Sequence, residues 1–209
     1  MSRYLGSVCK LCRREREKLF LKGERCFSNC VFDKNRGKNG PGQHGSSKGK
    51  MSDYAKHLRE KQKAKRMYGL TEEQFKHYYE EAEKMKGSPG DNLLKLLELR
   101  LDNVVFRLGF ASSKRMSRQI VNHGNIIVNG KRVDVPRYCV KVGDVITVPE
   151  KYKMNAAMKK LVEKPVSNVP SWLSFDKNKI LGTMVSEPLA GELYQSNIDS
   201  QLIIEYYSK

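Results

Sequence analysis

Four cysteines, Cys9, Cys12, Cys26 and Cys30, stand in a C-x2-C-x13-C-x3-C pattern within the most basic part of the chain. Each close pair can wrap one side of an ion, and the intervening loop brings the second pair back to the first. Four thiolates at about 2.3 Å close a tetrahedral Zn2+ site and leave no open position for catalysis. Large apolar residues are scarce nearby (Leu11, Leu19, Phe20, Leu21, Phe27), so one structural zinc ion is expected in place of a core. The basic neighbours Lys10, Arg13, Arg14 and Arg25 favour the thiolate forms. Ordinary or redox-active thiols and an iron–sulfur cluster remain the alternatives. Cys139, alone between Tyr138 and Val140 in an apparent strand, reads as a small buried side chain.

The charge of this 209-residue chain is as uneven as its cysteine distribution. The total is +17, from 40 Lys and Arg against 23 Asp and Glu. Residues 1–70 hold 19 basic and 6 acidic side chains, whereas residues 71–98 hold 4 and 7. A second basic island follows at 99–150, with 9 against 4. Solubility needs only a modest net charge; an excess this concentrated points to a polyanion, with counterion release supplying much of the affinity. Nucleic acid is favoured over an anionic membrane. The 10 Tyr and 1 Trp form no run alternating with basic residues, which argues for a folded RNA or duplex backbone over a single-strand stacking platform. No stretch has the length and apolarity of a membrane span, and the N-terminus lacks the apolar run of a secretory signal. A soluble, cytoplasmic chain with no membrane partner is therefore expected.

Organisation follows from local signals. Residues 33–51, rich in Gly, read as a connector. Within it Gly40-Pro41-Gly42-Gln43-His44-Gly45 specifies turns that lay His44 against phosphate, with Lys48 and Lys50 following. Ser52 is a candidate N-cap for a helix to about Tyr68, with Gly69 as its stop and Tyr54, Ala55 and Leu58 as its apolar stripe. Lys56, Arg59, Lys61, Lys63, Lys65 and Arg66 crowd that helix, offset within the run only by Glu60, and are expected on phosphates. Thr71 and Gln74 make a capping box for a helix carrying Phe75, Tyr78, Tyr79, Ala82 and Met85 inward. Asp91 or Asn92 opens a leucine-rich helix that Asp102 restarts. Ser113 caps a helix through about Asn122, with Lys114, Arg115 and Arg118 on its first turns, where unpaired N–H groups favour phosphate. Asn129-Gly130 predicts a type I′ hairpin that presents Lys131 and Arg132. A strand over Val142–Val148, a helix over Asn155–Glu163 and a closing strand over Leu202–Tyr207 complete the expectation.

Several runs then become familiar. Arg100-Leu101-Asp102-Asn103-Val104-Val105-Phe106-Arg107-Leu108-Gly109-Phe110, Gln119-Ile120-Val121-Asn122-His123-Gly124 and Ile127-Val128-Asn129-Gly130-Lys131-Arg132-Val133 together resemble the S-four RNA-binding module. Arg3-Tyr4-Leu5-Gly6, Cys9-Lys10-Leu11-Cys12-Arg13-Arg14, Pro41-Gly42-Gln43-His44-Gly45, Trp172-Leu173 and the ending Ile203-Ile204-Glu205-Tyr206-Tyr207-Ser208-Lys209 extend the likeness along the whole chain. The sequence resembles the bacterial small-subunit ribosomal S-four family, in its cysteine-knuckle form.

That resemblance implies an α+β architecture: a mainly helical domain with an inserted RNA-binding module of two short helices and a small antiparallel sheet. A basic zinc-knuckle extension occupies residues 1–45, the helical domain 46–90, the module 91–174, and a segment packing back on the helical domain 175–209. It further implies a non-enzymatic primary rRNA binder that nucleates the 5′ domain at a helical junction. Contacts with neighbouring proteins S-five and S-three, an influence on decoding accuracy, and a place where mRNA enters the subunit, with Lys48 and Lys50 on the basic stretch that faces it, also follow from it. The implied RNA contacts gain Arg3, Arg100, Arg107 and His123, alongside Lys10, Arg13 and Arg14. An extra-ribosomal paralogue, an RNA-binding regulator, an RNA-modifying enzyme and a zinc-knuckle DNA-binding protein are the rival readings.

Overall fold

The structure is a computed structural model. It describes all residues except 1–3, 35–38, 47–49, 156–157, 159–160, 162–168, 190–196 and 209. Arg3 and Lys48, and most of the helix expected over 155–163, lie outside the described residues. The chain divides into two compact units, Met1–Leu94 with Gln195–Lys209, and Lys95–Tyr194.

The first unit is helical. Helix α1 (Val8–Glu15) and the single turn α2 (Arg25–Ser28) carry the cysteines. Val8, Cys12, Leu19 and Leu21 form a small cluster, with Leu11, Phe32 and Met67 packed against it. Helix α3 (Asp53–Met67) starts where Ser52 accepts a hydrogen bond from the Ala55 N–H, and Gly69 at φ +64° follows its end. Helix α4 (Glu72–Lys84) opens on the complete capping box: Thr71 accepts from the Gln74 N–H, and Gln74 accepts from the Thr71 N–H. It buries Phe75, Tyr79 and Ala82; Met85, expected on the same face, is exposed. Helix α5 (Pro89–Glu98) begins with Pro at the first helical position, where no N–H is missed.

The C-terminal segment differs from the strand expected there. Ser200–Ser208 is a helix, packed against α3. Its β-branched and aromatic composition favours a strand by propensity. Two features override that preference: the Asp199 carboxylate accepts from the N–H groups of Gln201 and Leu202, and Ile203 is fully buried. This element is the last helix, α9.

In the second unit, α6 (Leu101–Arg107) and α7 (Lys114–Asn122) pack beside an antiparallel sheet. Its strands are β1 (Ile127–Val128), β2 (Lys131–Arg132), β3 (Val145–Thr147), β4 (Leu173–Asp176) and β5 (Leu181–Met184), in the order β2-β1-β3-β5-β4. A short helix, α8 (Glu150–Lys153), follows β3. The boundary expected at residue 174 falls inside β4. The ladder from β3 through β5 to β4 carries one sheet on to Met184. The core joins Leu101, Val104, Val105 and Leu108 of α6 to Ile120 and Val121 of α7 and to Val128, Ile146, Leu173 and Met184 of the sheet. Gly182 lies where any side chain would strike Leu108, so β5 approaches α6 closely.

Cys139 is exposed. It pairs with Arg100 in an isolated bridge, and the alternation of an extended segment turns Val140 inward instead. No helix among the described residues is long and apolar enough to cross a membrane.

Candidate nucleic-acid interface

The N-terminus of α7 assembles as expected. Ser113 adopts extended backbone and accepts a 3.3 Å hydrogen bond from the Met116 N–H. This cap fixes the helix start, and the N–H dipoles there favour an anion. Arg115 is exposed on the first turn, while Lys114 is half-buried beside it. Burial pushes the Lys114 ammonium down to about 8, against the pull of Glu98 and Asp102.

Two carboxylates organise the cations around this helix start. Glu98 is buried and accepts from Arg107 Nε at 3.0 Å and Nη2 at 2.8 Å. Asn103 donates to the same carboxylate at 2.6 Å and to the Glu98 carbonyl at 3.0 Å. Asp102, also buried, accepts from Arg100 Nε at 3.0 Å and Nη2 at 2.8 Å, and Arg118 lies 3.7 Å from it. The guanidinium groups of Arg100, Arg107 and Arg118, all candidate RNA contacts, are engaged with these carboxylates. Two-pronged pairing holds the Arg100 and Arg107 heads each in one geometry. Set against Glu98 and Asp102, the five cations Arg100, Arg107, Lys114, Arg115 and Arg118 leave the region positive, which suits a phosphate backbone.

The hairpin turn is the type I′ form, with Asn129 at φ +48° and Gly130 at φ +78° and the register Val128↔Lys131. Asn129 is more than a turn residue. Its Nδ2 donates to Asp144 at 2.7 Å, and its Oδ1 accepts from the Val145 N–H at 2.9 Å, so the turn is tied to β3. Lys131 is exposed. Arg132 is exposed as well, but its guanidinium donates to the carbonyls of His123 (2.9 Å) and Gly124, closing the C-terminal end of α7. Gly124 at φ +63° leaves room for that guanidinium. His123 is exposed.

The basic face of α3 has a different fate. Lys61 and Lys63 are buried, as is His57. Lys61 pairs with Glu72 and lies 4.3 Å from the Tyr206 ring centre. Lys63 donates to the Asn197 carbonyl and pairs with Glu17 at 2.8 Å and Glu60 at 3.1 Å. Burial works against the Lys63 charge, but those carboxylates hold its pKa above the ordinary lysine value. Lys65 pairs with Glu72 at 2.7 Å, and Lys56 with Asp53 at 2.8 Å. Arg59 and Arg66 converge on Glu15 of α1. Beyond Asp53 and Glu60 of the helix itself, the acids that neutralise it are Glu15, Glu17 and Glu72, all distant from it in sequence or beyond its end.

In the N-terminal segment Lys10 and Arg14 are exposed, as are His44, in a short 3-10 turn, and Lys50. Arg13 donates to the carbonyls of Asn39 at 3.2 Å and Gly40 at 3.0 Å. The cysteines are neighbours: burial pushes up the Cys12 and Cys26 thiols, and the other sulfurs nearby add to the rise. The Lys22 N–H donates to Cys26 Sγ at 3.3 Å and the Phe32 N–H to Cys30 Sγ at 3.4 Å. Backbone donors of this kind suit thiolate ligands. Among the described residues no three His, Cys, Asp or Glu side chains are close enough together to hold a metal ion. Four cysteines are chemically the donor set of a thiophilic ion.

Family comparisons agree with this geometry. Residues 3–98 match the family described as ribosomal protein S4/S9 N-terminal domain, and residues 99–146 match the S4 domain. The capped α7, the Asn129-Gly130 hairpin and the first strands of the sheet therefore lie within an S4 domain. Small ribosomal subunit protein uS4 of Endomicrobium trichonymphae is 77% identical over 209 residues, covering all of both chains. The uS4 proteins of Clostridium botulinum and Thermodesulfovibrio yellowstonii are 52% and 50% identical, again over the full length of both chains. The chain belongs to the uS4 family of small ribosomal subunit proteins.

Proposed function

We propose that the protein is a structural constituent of the small ribosomal subunit that binds rRNA through phosphate and shape rather than base edges. The observation that carries this reading is the capped start of α7, where Lys114 and Arg115 add to a cation surplus held in place by Glu98 and Asp102. Such an edge stabilises a junction where RNA helices bring phosphates together, favouring one fold of the RNA over its competitors. No chemical step is assigned to it. Family membership supports extending the reading to nucleation of the 5′ domain and an influence on decoding accuracy. It also supports contacts with S-five, S-three and incoming mRNA, and residence in the cytoplasm.

The same reading includes one structural Zn2+ held by Cys9, Cys12, Cys26 and Cys30. The ion would fasten α1 to the segment around α2, where the apolar cluster is small. Co-sedimentation with small-subunit rRNA, in competition with duplex DNA, tests the RNA assignment: retention on the rRNA is expected, and preference for DNA overturns it. Metal analysis of the same purified protein should give about one zinc per chain, lost in Cys9→Ser. A metal-free wild type overturns the zinc assignment and leaves RNA binding standing.

A further inference from the structure

The loop after α1 and the turn α2 carry two phenylalanines, Phe20 and Phe27 respectively, where folding alone does not require them. Leu19 and Leu21 are buried, yet Phe20 between them is 44% exposed and Phe27 is 76% exposed. Their rings stack on each other, with centroids 5.0 Å apart and planes 26° from parallel. Phe20 holds a left-handed backbone, φ +49°, that a bulky side chain rarely adopts. At this backbone Phe20 stands outside the Leu19–Leu21 cluster and its ring lies on Phe27. Two exposed rings in near-parallel contact leave an outer π-face open to solvent. The surroundings are cationic: Lys22 and Arg25, two residues from Phe20 and Phe27 respectively, are exposed and form no ion pair among the described residues. An exposed apolar pair flanked by cations suits a planar, apolar group carried on a phosphate chain, which is the chemistry of a nucleotide.

We propose that Phe20 and Phe27 form a stacking platform for one unpaired RNA base, with Lys22 and Arg25 neutralising the phosphates on either side of it. The site rests on the RNA-binding reading above and adds to it a contact made to a base face, not to the backbone. Because every base presents a π-face, the platform selects unpaired nucleotides without selecting their identity.

The test compares the full-length protein on two probes of equal length and charge, an oligoadenylate RNA and the corresponding ribose–phosphate strand without bases. The wild type should bind the base-bearing strand about tenfold more tightly, within the range of base–aromatic stacking. Phe27→Ala should bring the two affinities together by weakening only the base-bearing probe, while Phe27→Trp should preserve the difference. Because Phe27 is mostly exposed, truncation leaves the fold intact, and an unchanged thermal transition verifies this. Equal wild-type affinities, or a preference that survives both Phe20→Ala and Phe27→Ala, overturn the platform but leave phosphate recognition standing. Failure of the wild type to bind either strand or structured rRNA overturns both.

Discussion

Glu15, near the C-terminal end of α1, is buried against Arg66 of α3, and Arg59 reaches the same carboxylate oxygen from one side at 3.3 Å. One acid thus fixes two arginines that would otherwise extend into solvent, and it joins the cysteine-bearing segment to the helical unit. Burial raises the Glu15 pKa, and the two guanidinium groups oppose that rise. Removing the acid leaves two cations confronting each other. We expect Glu15→Ala to destabilise the protein by about 1–3 kcal/mol, because the lost bonds are charge-assisted while the two arginines left behind are only partly buried and can turn to water. Glu15→Gln retains a carbonyl acceptor and should cost less. Chemical denaturation of the two variants, with the transition slope checked for constancy, measures the difference.

Glu72 makes the opposite pH contribution. Burial disfavours its charge, but the hydrogen bonds from Lys61 and Lys65 outweigh that and hold its pKa below the ordinary 4.5. Its stabilising effect is therefore complete above pH 4.5 and is lost as pH falls through the lowered folded value. The wild type should lose stability in that acidic window, whereas Glu72→Gln should be weaker at neutral pH and flatter below 4.5. Thermal melts from pH 7 to 3 decide it; parallel curves for the two proteins would contradict the assignment.

Arg115 and Lys63 looked equivalent in the sequence, and the structure separates them. Arg115 is exposed at the start of α7, whereas Lys63 is buried among Glu17, Glu60 and the Asn197 carbonyl. Arg115→Ala should flatten the salt dependence of rRNA binding by roughly 0.7–0.9 in log–log slope, the value of one lost phosphate contact. Lys63→Ala should lower stability and leave the slope where it was. Titrating both against salt, with stability measured alongside, distinguishes them.

That contrast shows what could be read in advance. Caps and turns were legible because their signals are local: Ser52, the Thr71–Gln74 box, Ser113 and the Asn129-Gly130 turn each specify backbone geometry within a few residues. The α7 start was legible for the same reason. The counter-charges were not. Glu15 meets Arg59 and Arg66 across separations of 44 and 51 residues, so a charge count along α3 saw a bare basic face. Asp102 as the partner of Arg100, two residues away, was within reach of a closer reading. The C-terminal helix misled because its Ile and Tyr residues favour a strand, and the Asp199 cap together with the surface offered by α3 decides otherwise. The exposed Phe20–Phe27 pair had no pattern to announce it.

If Lys114 meets a phosphate as proposed, rRNA binding should carry a pH dependence of its own. Burial holds its pKa at about 8 in the free protein, so the ammonium is largely charged at pH 7 and largely neutral at pH 9. A phosphate requires the charged form. Above pH 8, binding must therefore take up a proton, and log affinity should fall with pH at a slope approaching −1 for a single coupled group. Lys114→Arg keeps its charge throughout and should bind rRNA almost independently of pH between 7 and 9. Lys114→Met should be weaker at pH 7 and equally flat. Binding measured at fixed ionic strength across that window tests the linkage. A wild type as flat as its arginine variant would place Lys114 away from the phosphate, leaving Arg115 and the helix dipole to make the contact.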